Sequence, residues 1–105
     1  MVRVHVWLRR KDGMGVEEFR DYWLEKHAPI ARDGYQHLKG YVVNLVTRVT
    51  EGQEAPYDGV AELSWEDREG FSADMKGEAA RQAGDDLANF TSASGLLFIE
   101  QGVVK

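Results

Sequence analysis

The chain has 105 residues, with 13 basic against 18 acidic side chains and a net charge of −5. A chain this short forms one domain spanning residues 1–105 around one core, and has little room for a private cavity of the usual ligand-pocket size, roughly 300 Å³ or more. The acidic balance argues against nucleic acid as a partner, and the lack of cysteine excludes disulfides, thiol nucleophiles, thiolate metal sites and iron–sulfur clusters.

The first element is a strand, because Val2, Val4, Val6 and Leu8 alternate with Arg3, His5, Trp7 and Arg9. Asp12-Gly13 turns the chain. Val16 to about Ala28 reads as a helix, with Glu17 and Glu18 in the first turn and Phe19, Trp23, His27 and Ile30 in one stripe; Pro29 should end or kink it. Tyr41–Val49 is rich in β-branched residues and reads as a second strand, whose two faces the pattern does not phase. A polar loop, Glu51–Pro56, leads to an alternating third strand, Tyr57–Trp65. Asp67–Met75 reads as a helix, interrupted at Gly77, with further helical turns over Glu78–Ala83 and a break at Gly84-Asp85. The fourth strand is expected over Leu96–Val103. No run approaches the roughly 20 apolar residues of a membrane span, and the absence of cysteine and of a leader pattern fits the cytoplasm.

The order strand, helix, strand, strand, helix, strand is the ferredoxin-like α+β layout: a four-stranded antiparallel sheet with helices on one face. The other face is then bare. It carries Arg3, His5, Trp7 and Arg9 from the first strand and Asp58, Val60, Glu62 and Ser64 from the third. Trp7 and Val60 do not belong in water. A second copy packing its sheet on the first would cover them and close an eight-stranded barrel able to hold one small ligand. A site between copies is thus one way for so short a chain to acquire a pocket.

Phe19-Arg20-Asp21-Tyr22-Trp23-Leu24-Glu25-Lys26-His27-Ala28-Pro29 resembles the EthD family of dimeric α+β barrel proteins, in which a Phe, a Tyr-Trp pair, a His and a Pro recur at these spacings. Leu38-Lys39-Gly40-Tyr41, Asn44, Tyr57–Leu63 and Asp86–Phe90 extend the likeness over nearly the whole chain. The resemblance implies a homodimer with a barrel between its sheets. It also implies side-chain chemistry without metal or organic cofactor, of isomerase, cyclase or dehydratase type, on a small apolar aromatic or lactone-like compound in catabolism or polyketide-type metabolism. Two alternatives accompany it: a binding module serving an oxygenase system, and a cofactor-free monooxygenase or haem binder.

Among single residues His27 is the foremost candidate acid–base group. It stands near the end of the first helix, where the dipole favours imidazolium; the competing reading is a buried histidine on the Phe19–Trp23 stripe. Tyr41, Asn44 and Asp58 are candidates to orient it or a substrate oxygen, although Tyr41 and Asn44, three apart, fall on opposite faces of a regular strand. Asp58 and Glu62 are roughly 13 Å apart along a strand, too far for a direct dyad, and each has cross-strand pairing with Arg3 or Arg9 as its structural alternative. His5, Trp7, Trp23, Val60 and Glu62 are the candidate ligand-binding residues, with Trp23 also expected in the core. Asp86 and Asn89 read as caps of the last connection. The three histidines lack the close spacing of a metal site, and no nucleotide-binding loop or nucleophile elbow is present.

Overall fold

The structure, a computed structural model, describes residues 1–105. The strands are β1 (Val2–Arg10), β2 (Leu38–Leu45), β3 (Gly59–Trp65) and β4 (Thr91–Phe98), in the order β2-β3-β1-β4 with every neighbouring pair antiparallel. The helices are α1 (Val16–Tyr22), α2 (Ala28–Gly34), α3 (Arg68–Met75) and α4 (Glu78–Asp86). A π-helical turn, Trp23–His27, joins α1 to α2, and a 3-10 turn, Leu87–Asn89, leads from α4 to β4. This is the ferredoxin-like α+β fold, with the helices on one face of the sheet.

Register phases all four strands. Val4 lies opposite Leu63 and Val6 opposite Ala61 in the central pair, while Tyr41 faces Leu63 and Val43 faces Ala61 in the next. Tyr41, Val43 and Leu45 therefore point with Val4 and Leu8 into the core, and Val42 and Asn44 to the other side. The core is closed by Phe19 and Trp23 from the first helical run, Trp65 from β3 and Phe90 ahead of β4, all almost fully buried. Trp23 packs so closely on β3 that a Cβ at Gly59 would sit 2.5 Å from its ring and 2.9 Å from the Asn44 carbonyl. At the opposite corner the buried Asp74 accepts Trp65 Nε1 at 2.7 Å and the His37 amide at 3.1 and 3.2 Å, tying α3 to β3 and to the start of β2.

Several boundaries differ from the sequence reading. β2 covers Leu38–Leu45 rather than Tyr41–Val49, and β3 starts at Gly59 rather than Tyr57, because the two pair only from Leu38 with Trp65 to Leu45 with Gly59. The first helical run does not stop at Ala28. The Ala28 amide donates to the Trp23 carbonyl five residues back, and this wider turn lets Pro29 enter the first turn of α2, where a missing N–H costs little. Phe19, Trp23, His27 and Ala31, at steady spacings of four, are all buried as a result, and Ile30 is only half-buried. Gly84-Asp85 does not break α4, which runs to Asp86. The last strand is Thr91–Phe98 rather than Leu96–Val103. Its only neighbour is β1, with Val4 opposite Phe98. One further bond runs from the Ile99 amide to the Arg3 carbonyl, close to the start of β1, and no strand pairing follows it.

Candidate active site

Asp86, at the end of α4, collects three donors. Tyr22 Oη donates to Oδ1 at 2.6 Å, Asn89 Nδ2 donates to Oδ1 at 2.9 Å, and His27 Nδ1 lies 2.8 Å from Oδ2. Phe90 packs on this group, its ring 4.8 Å from the imidazole and 4.9 Å from Tyr22, where it stacks. Burial alone would push the Asp86 carboxyl up, but the hydrogen bonds from Tyr22, Asn89 and His27, with the attraction of His27, together hold it below the ordinary carboxylate value. Tyr22 is raised, chiefly by its bond to Asp86, so it stays a donor. An ionised Asp86 requires a proton on His27 Nδ1. Burial keeps the ring neutral by drawing its pKa below the ordinary histidine value, against the opposing pull of Asp86. The proton then sits on Nδ1 and the lone pair on Nε2. That nitrogen has no partner within the chain, and it is not sealed from the surroundings.

His27 also lines a cavity of about 200 Å³ between the helices and the sheet. The cavity exists because small residues stand where a core would carry Leu or Phe: Ala31 on α2, Ala61 on β3, and Ala80, Ala83 and Gly84 on α4. Leaving an apolar gap of this size unfilled costs up to about 5 kcal/mol, an upper bound for a space that opens to solvent. Trp23, Tyr35 and Tyr41 complete the polar part of the lining. The Tyr41 hydroxyl accepts Trp23 Nε1 at 3.3 Å, leaving its own proton free to donate inward, and burial raises the pKa values of both Tyr41 and Tyr35. No cluster of three or more His, Asp or Glu side chains is placed to hold a metal ion.

The structure thus divides the residues singled out by sequence. His27, Trp23 and Tyr41 meet at the interior cavity. His5, Trp7, Asn44, Val60 and Glu62 lie together on the opposite face of the sheet, so they form no common site with His27. There Asn44 Nδ2 donates to Glu62 at 2.6 Å, and His5 Nε2 lies 3.8 Å from the same carboxylate. Asp58 is occupied by Arg10, accepting its backbone amide at 2.8 Å, with Nε at 3.4 Å; neither Arg3 nor Arg9 takes that role. His27 does not end a helix, since α2 continues to Gly34, so burial rather than a helix C-terminus governs its charge. Asp86 and Asn89 do not act as caps: the Asp86 side chain makes no capping bond to the 3-10 turn that follows it, Asn89 bonds Asp86, and Asp86 is the partner of the candidate base.

The sequence profile of the EthD domain family matches residues 11–94. Among solved structures, an EthD family protein from Bacillus halodurans superposes with a TM-score of 0.78 at 18% identity, over 97% of this chain and 100% of that one. An EthD-like protein from Ralstonia eutropha gives 0.76 at 20% identity, over 99% and 94% of the two chains. A dimeric ferredoxin-like protein of unknown function from Thermobifida fusca gives 0.65 at 18%, over 95% and 90%. Comparison with curated proteins finds no match.

The depressed His27 pKa makes stability depend on pH with a definite sign. The unfolded chain takes up a proton near the ordinary histidine value, about 6.5, before the folded one does. The contribution is therefore complete above that value and is lost as pH falls through the lower folded value. Denaturant unfolding should show the wild type losing stability between about pH 7 and pH 5, and His27→Gln losing less over the same interval. Parallel losses in the two proteins would contradict the assignment.

Proposed function

We propose that this chain, which belongs to the EthD domain family, is a small homodimeric enzyme that moves protons on a small apolar compound of aromatic or lactone type, using side chains and no cofactor. The observation that carries the reading is the Asp86–His27 pair, 2.8 Å apart, beside a cavity walled almost wholly by apolar groups. Asp86 fixes the tautomer, as the carboxylate does in a catalytic triad. Nε2 is then a free base, held neutral below the ordinary histidine range.

On a substrate with a C–H bond next to a carbonyl, Nε2 takes the proton and the C–H electron pair becomes the enolate double bond. The carbonyl π pair moves to oxygen, where the Tyr41 O–H stabilises the charge that develops. Where the substrate is a β,γ-unsaturated carbonyl the electron pair extends to the γ carbon, and the imidazolium, steadied by Asp86, returns the proton there as the double bond moves into conjugation. Where it is a β-hydroxy carbonyl the enolate re-forms the carbonyl and expels the β-hydroxyl, which takes the proton and leaves as water. Either outcome restores the starting side chains.

The dimer reading rests on the uncovered face of the sheet. Val42 and Leu97 there remain 54% and 53% exposed, beside Trp7 and Val60. A second copy laid sheet to sheet covers them. Light scattering at micromolar concentration should give twice the chain mass; a monomer would contradict this part.

Proton exchange into phenylacetone in D₂O, followed by NMR, tests the chemistry. His27→Ala should slow the exchange by about 100-fold or more, the usual weight of a positioned base. Asp86→Asn should slow it by about tenfold or more, because its single NH2 must replace either the oxygen that accepts Tyr22 and Asn89 or the one that faces His27, and facing His27 it favours the other tautomer. Exchange indifferent to His27 would sink the catalytic assignment and leave a ligand carrier as the better account.

A further inference from the structure

The lining of the cavity limits what can enter it. Its fifteen residues include no Lys, Arg, Asp or Glu. The polar atoms it offers belong to His27, Tyr35, Tyr41 and Trp23, and one of these, Trp23 Nε1, is already given to Tyr41. The carboxylates that act on lining residues, Asp86 against His27 and Asp74 near Tyr35, are both acidic groups. A ligand carboxylate or phosphate would find no cation to pair with and a like charge close by, at the cost of its water. A neutral carbonyl or phenol oxygen would find two tyrosine hydroxyls whose raised pKa values keep them protonated as donors.

Resting on the reading that this cavity is the active site, we propose that the site selects uncharged ligands, excluding carboxylates and phosphates, and that Tyr41 is the residue that recognises the ligand oxygen. The selection comes from what the wall lacks as much as from what it offers. A ring fits against Trp23, Leu8, Leu63 and Leu96; an oxygen fits at Tyr41; an acid fits nowhere. Tyr35, on the same wall and close enough to Tyr41 to feel its charge, is the second donor available to the same oxygen.

Three probes of one shape test this on the full chain by ligand-observed NMR titration: phenylacetone, phenylacetate and isobutylbenzene. Phenylacetone should bind at least about 100-fold more tightly than phenylacetate near neutral pH, since the acid must be desolvated unpaired. Tyr41→Phe should weaken phenylacetone by about tenfold, the worth of one hydrogen bond, and leave isobutylbenzene unchanged. Unchanged isobutylbenzene binding also establishes that the variant keeps its cavity. Comparable binding of the ketone and the acid, or no binding of the ketone at millimolar concentration, would overturn the proposal. So would a Tyr41→Phe effect of equal size on the ketone and the hydrocarbon. These binding results stand apart from the exchange reaction: selective binding with no exchange would count against the enzyme and not against the selectivity, whereas exchange with indiscriminate binding would do the reverse.

Discussion

The Asp86 carboxylate is the point on which the site and the packing of the helices both depend. It ends α4 and binds side chains from α1, from the π-helical turn and from the 3-10 turn before β4. Burying a carboxylate is expensive unless its oxygens are satisfied, and here three donors satisfy them. The same bonds fix the two ends of the helix layer around Phe90 and dictate which imidazole nitrogen carries the proton. A network that is complete on its inner side and leaves only Nε2 without a partner is a structure built around one available lone pair.

The remaining layout follows from fitting such a site into 105 residues. A fold this small cannot enclose a large pocket in a normal core. Ala31, Ala61, Ala80, Ala83 and Gly84 instead leave about 200 Å³ unfilled between α4, α2 and the sheet. The rest of the core is filled by large aromatic side chains, Phe19, Trp23, Trp65 and Phe90, all almost fully buried. The two faces of one sheet thereby take different tasks, the inner one holding the cavity and the outer one, with Trp7, Val42 and Leu97, available to a second copy. The cavity beside His27 lies inside one chain, on the helix side of the sheet, while the face on which the sequence suggests pairing is the other one.

How much of this the sequence discloses varies with the kind of information required. Alternation located β1 and β3 and assigned their faces, because one side of each is buried against helices. It could not phase β2, whose valines occupy both faces, and it misplaced β4. Leu96–Ile99 draws the eye, yet an edge strand extends only as far as its single neighbour, and β1 pairs with the smaller residues from Thr91 onward. Pro29 was a sound signal of irregularity, but a π-helical turn absorbs it where a helix end was expected. His27 stood out through its residue type and spacing. Asp86, 59 residues later, reads locally only as a cap, and nothing in the chain around it points to His27. The cavity was invisible for a further reason. It consists of volume that five scattered small residues fail to fill, and no motif records an absence.

The central claim is that His27 presents a neutral, unprotonated Nε2 because Asp86 holds the proton on Nδ1. Nitrogen-15 NMR of the imidazole near neutral pH reads this directly. A lone-pair signal for Nε2 and a protonated Nδ1 are expected in the wild type, with that preference lost in Asp86→Asn. A proton on Nε2, or an imidazolium in the wild type at that pH, would contradict it.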